Sequence, residues 1–299
     1  MAKLSTIADR IPAPLIFMGS GLSQYSGAAI ATLWLFADMT PTAVAWWRVA
    51  VAAIILVLIR RPFRRGLTWR TLAAATVMGL FITTMNMTFY QGISRIPLGT
   101  CVSIEFVGPV MVALFRGRGW RTRIAALLAG IGVAAISGIG LDIANPQAQI
   151  GLAFSIAAGI CWAGYIVVGQ KLAAAGHGQD SLAIGLLVAA ILTVPLVGPF
   201  EIAAGWQSSW ILLCCIAVGV LSTALPFPLE QVALRRLGPD IFSLLACLMP
   251  AISELVSMIA LRHLPNVGEI AGLLCISLAV ALAQYRPGVL DRKRKHYNQ

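Results

Sequence analysis

Charge in this chain is confined to a few short segments, and that feature limits the fold more than any motif does. Only 11% of the 299 residues are charged and 59% are hydrophobic, whereas a soluble domain carries roughly a quarter charged residues. Mean hydropathy is +0.86. A chain so poor in charge cannot clothe a water-facing surface. In lipid the backbone must satisfy its own hydrogen bonds, which apolar runs of about 20 residues do as helices. The expected fold is therefore all-α and polytopic. Reading between charged or turn-rich breaks gives ten runs, at about 14–36, 42–59, 71–94, 98–115, 122–141, 149–172, 181–199, 208–232, 240–261 and 266–285. The breaks carry loop chemistry, as at Asp38 to Pro41, Asn145-Pro146 and Leu264-Pro265-Asn266. No cleavable signal peptide is expected, because the first apolar run continues for a full span.

The basic residues orient the spans. With the N-terminus placed in the cytoplasm, 19 of the 22 Lys and Arg fall on the cytoplasmic side. Arg95 and Arg262 alone fall opposite, and Arg48 lies inside span 2. Under the positive-inside rule both termini are cytoplasmic. The net charge of +11 thus reflects loops facing anionic lipid rather than a nucleic-acid surface.

One motif occurs twice. Ser94-Arg95-Ile96-Pro97-Leu98-Gly99 leads into a run broken by Pro109, and Arg235-Arg236-Leu237-Gly238-Pro239-Asp240 leads into a run broken by Pro250. Both pairs, Arg95 to Arg236 and Pro109 to Pro250, are 141 residues apart. The same offset carries the small residues Ala126, Gly130, Ala134 and Gly138 of span 5 onto Val267, Ala271, Cys275 and Ala279 of span 10. Since five spans separate the copies, the halves have opposite topology, an arrangement of secondary transporters. The expected organisation is a first five-helix repeat at 14–141, a second at 149–285 and a basic tail at 286–299.

Further residues give a resemblance. They are Trp46-Trp47-Arg48-Val49-Ala50, the run from Leu98 through Glu105-Phe106-Val107-Gly108-Pro109, Gly159 to Tyr165, Gly169-Gln170-Lys171, and Leu221 through Pro226-Phe227-Pro228-Leu229-Glu230. With these the chain resembles the drug/metabolite transporter superfamily, in its ten-helix form with two EamA-type repeats. It is most similar to the bacterial inner-membrane amino-acid exporters of threonine/homoserine and YddG type. The resemblance implies export of neutral or hydrophobic amino acids by alternating access, with efflux of drugs or other metabolites as the alternative. One departure is visible: where repeats of this family often end span 9 with Gly-Glu, this chain reads Leu261-Arg262-His263-Leu264.

Ionisable groups inside spans need a reason. Arg48 and Glu105 lie at similar depth, about 10 Å from the same end of spans 2 and 4 by helix rise. They are expected either to pair as a staple or to leave Glu105 free for a substrate ammonium or a proton. Glu230, following Pro226 and Pro228, either accepts hydrogen bonds locally or pairs with Arg235 or Arg236. Glu254, one turn past Pro250, matches no motif acid. Asn86 and Tyr90 share a face of span 3, as do Trp162 and Tyr165 on span 6. With Gln24 of span 1 they form a candidate substrate lining, and packing between helices is the bland alternative. Pro109, Pro226, Pro228 and Pro250 are read as kinks or hinges. No metal-ligand spacing, nucleophile motif or nucleotide loop occurs, so neither enzyme nor cofactor is expected. The expected partners are an amino-acid substrate and the bilayer, with proton coupling and facilitated diffusion both open. The expected assembly is a monomer or weak homodimer.

Overall fold

The computed structural model describes residues 12–62, 68–116, 120–136, 141–142, 144–174, 178–227, 229–230, 233, 246 and 248–284. Among these every regular element is helical. The second copy of the twin motif at 235–240, Pro228 and the tail at 286–299 lie outside the described residues.

Three long helices run uninterrupted: α1 (Ala13–Ile30, continued by a π-turn at Ala31–Leu35), α2 (Pro41–Arg60) and α3 (Trp69–Ile93). The next apolar run is divided into α4 (Leu98–Glu105) and α5 (Val107–Arg116), and α6 (Trp120–Ala135) follows. The second half begins with the longest helix, α7 (Pro146–Ala174), then α8 (Gly178–Leu192), α9 (Val194–Val197) and α10 (Pro199–Ala203). It closes with α11 (Ser209–Gly219, continued by a π-turn at Val220–Ala224), α12 (Met249–Ala260) and α13 (Val267–Gln284).

Local sequence explains the boundaries. Thr40, Thr68 and Ser208 cap the starts of α2, α3 and α11, each hydroxyl accepting from the backbone N–H three residues on. Pro41 follows Thr40 at the first helical position, where its missing N–H has no intrahelical role. Arg61 ends α2 in the left-handed region at φ 48°. Asn266 opens α13 with a reciprocal box: its Oδ1 accepts from Glu269 N at 3.0 Å, and Asn266 N donates to Glu269 Oε2 at 2.9 Å.

Among the described residues, α2, α3 and Pro146–Gly169 of α7 are long and apolar enough to cross a bilayer unbroken. A fourth span results if Pro199–Trp206 and Ser209–Ala224, bent by 106°, are joined. Several of the ten apolar runs are interrupted inside. One breaks at Phe106, another at Thr193 beside Pro195, and a third at Leu225 beside Pro226. Large apolar side chains such as Leu58, Phe115, Leu127, Ile160 and Ile259 stand exposed on the outside. In water such a surface would aggregate, whereas against acyl chains it is the required solvent contact.

α3 packs on α7 and α8; the π-turn after α11 packs on α1, and both it and α11 pack on α2. α4 and α5 pack on α7, and α12 packs on α1. α2 meets α8, α4 meets α12, and α6 meets α13. Numbering the apolar runs one to ten, each of these contacts maps onto another, or onto itself, when every run is exchanged with the one five places away, whereas the α2/α3 contact and that of α13 with α4 and α5 have no counterpart of comparable extent among the described residues.

Close approach depends on glycines at the crossings. A Cβ on Gly79 of α3 would strike the carbonyl of Gly185 on α8, and one on Gly108 of α5 that of Gly159 on α7. The α6/α13 contact uses only part of the small-residue pattern that spans 5 and 10 share. Its buried face holds Ala125, Ala129, Gly132 and Ile136 against Gly272, Ile276, Ala279 and Val280. Gly130 and Ala134 of the expected stripe are exposed, and a Cβ on Gly130 would meet nothing within 4 Å. Small residues at every fourth position permit contact on their own face, but which face is used depends on the partner's shape.

Candidate functional site

The polar centre of the molecule is organised around Arg48 of α2, which is only 5% exposed. Its Nε donates to Thr223 Oγ1 at 3.0 Å and its Nη2 to the Ser222 carbonyl at 3.1 Å. Both acceptors belong to the π-turn after α11. That carbonyl is available for a covalent reason. The residue four places on is Pro226, which has no N–H to return to it. Leu225 instead donates to Val220, five residues back, at 2.9 Å. Proline and π-turn together present a main-chain acceptor in a buried place, and Arg48 fills it. Gly219 lets the two helices approach here, since a Cβ on it would press against Val51. Across the same turn, Ser23 Oγ donates to the Leu221 carbonyl at 2.8 Å and Ser222 Oγ to the Gln24 carbonyl at 3.1 Å.

The expected Arg48–Glu105 staple is therefore corrected. Among the described residues Arg48 makes no ion pair within 4 Å, and its hydrogen bonds go to α11's extension. Glu105 is buried at the end of α4 and feels Arg48 only as a longer-range charge. Glu230 feels the same guanidinium, while Arg235 and Arg236 lie outside the described residues. The Nη1 of Arg48 has no hydrogen-bond partner among the described residues. The guanidinium carbon sits 5.6 Å from the centre of the Tyr90 ring, within cation–π range.

Tyr90 is fully buried, and its hydroxyl makes no hydrogen bond among the described residues. Its ring is held edge-on by Phe36 at 6.0 Å and Phe89 at 5.8 Å. Tyr25 of α1, also buried, lies in the electrostatic field of Glu105, Glu230 and Arg48, and Tyr165 of α7 lies in that of Glu230. The structure thus brings Arg48, Tyr90, Glu105, Glu230 and Tyr165 into one polar neighbourhood. Trp162 is partly buried and stands edge-on to Phe106 at 4.7 Å, at the break between α4 and α5. Asn86 is buried one turn before Tyr90 and donates its amide to the Ile82 carbonyl of its own helix at 2.7 Å. Gln24 is half-buried beside the α1 crossing.

The prolines sit just beyond breaks rather than at their centres. The interruption between α4 and α5 falls at Phe106, and Pro109 lies in the first turn of α5. Lacking an N–H, Pro109 leaves the Glu105 carbonyl without its helical donor, at the point where Gly159 of α7 packs close. Pro250 occupies the first turn of α12 behind a turn at Leu248. Sequence reading overlooked Tyr25, Thr223 and Glu269. Glu269 was legible, since Asn266 three residues before it spells a capping box. Tyr25 and Thr223 carried no signal, as aromatic and hydroxyl residues are ordinary in apolar helices.

The sequence pattern of the EamA-like transporter family matches residues 149–285. The threonine/homoserine exporter RhtA of Salmonella typhimurium is 35% identical over 94% of this chain and 92% of its own length. RhtA of Escherichia coli K12 is 34% identical over 83% of each chain. A transporter of unassigned function from Synechocystis is 24% identical over 76% of this chain and 70% of its own. A solved crystal structure at 17% identity superposes with a TM-score of 0.60, covering 91% of this chain and 96% of that one, a likeness of fold alone.

Proposed function

This chain belongs to the EamA-like transporter family of the drug/metabolite transporter superfamily, and we propose that it exports neutral amino acids, threonine and homoserine foremost, across a bacterial inner membrane. The observation that carries this reading is the 35% identity to a threonine/homoserine exporter over 94% of the chain. The site chemistry agrees with it. A zwitterion crosses about 30 Å of hydrocarbon slowly because both its charges lose hydration. Arg48 offers Nη1, and the Tyr90 hydroxyl, without a hydrogen-bond partner among the described residues, is a second donor on the ring that the guanidinium faces; together they suit a carboxylate. Glu105 and Glu230 suit the ammonium group. Gln24, Asn86, Trp162 and Tyr165 line the remaining walls, polar atoms toward the backbone of the substrate and ring faces toward its side chain.

The transport mechanism follows from architecture. Ten spans form two five-helix repeats of opposite topology, with both termini cytoplasmic. The lopsided placement of Lys and Arg supports the orientation, and the helix contacts that map onto one another under a five-place exchange support the repeat. The paired breaks at Phe106 and Leu248, each followed by proline, allow the ends of spans 4 and 9 to move against a fixed centre. α6 and α13 pair at the periphery. Access then alternates between the two sides.

Counterflow in proteoliposomes tests the reading. Vesicles preloaded with one unlabelled amino acid are given the labelled form of threonine, homoserine, methionine or phenylalanine. Accumulation of label from threonine or homoserine above protein-free vesicles is expected. Failure with every amino acid would sink the proposal.

A further inference from the structure

A second buried polar cluster lies apart from Arg48, where the start of α4 meets the end of α12 and the start of α13. Glu269 is 3% exposed and acts as acceptor throughout. Thr100 Oγ1 donates to its Oε1 at 2.7 Å, Asn266 N to its Oε2 at 2.9 Å, and His263 Nε2 to its Oε2 at 3.1 Å. Glu254 of α12, 8% exposed, has the opposite character: its Oε1 is buried and makes no hydrogen bond among the described residues. Its Oε2 lies against Gly99 of α4, so closely that a Cβ there would overlap it. The charges that reach Glu254 are those of Glu269 first and His263 second. α4 contributes Gly99 and the neutral Thr100. α1, which packs on α12 through Gly21 against Met249 and Ile252, contributes no charged side chain.

Two carboxylates in a low-dielectric setting, facing one part-exposed imidazole, hold a single proton at lower free energy than two negative charges. The proton also supplies the orphaned oxygen with a hydrogen to donate. Among the described residues no three His, Cys, Asp or Glu side chains gather around a point that suits a metal, so the donor set fits a proton rather than a metal cation.

We propose that Glu254, with Glu269 and His263, is a proton-binding site through which a proton gradient drives transport. What it drives rests on the exporter reading; the site itself does not. The positive-inside rule places this end outside. A proton enters from the outer phase and binds Glu254, neutralising the contact with Gly99 so that α4 and α12 close together. Release of the proton to the inner phase restores the charge, which draws water between the two helices and parts them. Both helices adjoin the proline breaks, α4 ending at Phe106 and α12 beginning behind Leu248, so closure at the outer end tilts them relative to the Arg48 centre. Glu105 and Glu230 remain with the substrate.

Infrared titration of the purified full chain in lipid, together with transport, tests this. Wild-type protein is expected to show a protonated-carboxyl band that titrates. Glu254→Gln removes one component of the band, seen in the wild-type-minus-variant difference spectrum, and Glu254→Asp restores one at a displaced midpoint. His263→Asn and Glu269→Gln displace the midpoint in opposite directions, because they remove charges of opposite sign. In proteoliposomes Glu254→Gln, fixed in the neutral form, loses pH-driven threonine accumulation at least tenfold, whereas Glu254→Asp retains it with a displaced pH dependence. A Glu254→Gln spectrum that matches wild type across the titration, or wild-type accumulation by that variant, would overturn the proposal. A wild-type protein that shows the Glu254-dependent band but moves no amino acid upholds the proton site and removes the exporter reading instead.

Discussion

Replacing Arg48 by methionine, alone and together with Pro226→Ala, isolates the contact at the centre of the molecule. Methionine keeps the apolar stem but removes both donors. The Ser222 carbonyl then has no partner, because Pro226 cannot supply an N–H from four residues on. An orphaned buried acceptor costs about 1–3 kcal/mol. Alanine at 226 restores an N–H, so in the methionine background it can close the helical bond to Ser222. In the wild-type background the carbonyl already holds Arg48, and the added donor gains little. A double-mutant cycle is therefore expected to show a coupling energy of about 1–2 kcal/mol, with Pro226→Ala rescuing Arg48→Met. Unfolding of the four proteins in mixed micelles, followed by tryptophan fluorescence, measures it. Additivity within about 0.5 kcal/mol, the behaviour of independent sites, would refute the account of Pro226 as the residue that frees the carbonyl for Arg48.

Three further outcomes are expected. Gly132→Val, forced against the α13 backbone at Gly272, destabilises by about 1–3 kcal/mol, while Gly130→Val in the same assay changes stability by less than about 0.5 kcal/mol. Glu105→Gln lowers threonine counterflow at least tenfold, about 1.4 kcal/mol of binding or barrier, with folding intact by size-exclusion chromatography; unchanged flux would return Glu105 to a packing role. Asn266→Ala, which breaks the capping box with Glu269, costs about 0.5–2 kcal/mol in the micelle titration and loosens hydrogen exchange in the first turn of α13.

Membrane residence and helical structure were legible because they depend on quantities that add along a chain. Leu58 and Ile259 are apolar and the charge of Arg95 or Lys171 is the same in any fold. The 141-residue offset between Pro109 and Pro250 is likewise a property of the string. The packing faces were not legible. Gly130 and Gly132 are chemically identical and two places apart, and only the position of α13 decides which is buried. Arg48 illustrates the same limit. Sequence identified a buried cation and a nearby acid at equal depth, but the guanidinium bonds instead to a hydroxyl and a main-chain carbonyl on another helix, the carbonyl freed by a proline 178 residues later. Nothing in local sequence records that a peptide oxygen will be left without a donor beside a given side chain. Glu254 and Glu269 are 15 residues apart on different helices; their proximity, and the unfilled oxygen of the first, exist only once α4, α12 and α13 have closed on one another. The sequence alone determined solvent and secondary structure, because hydropathy and helix propensity are local. Tertiary structure decided which polar groups find partners, because a hydrogen bond requires two groups at one place and the chain specifies places only by folding.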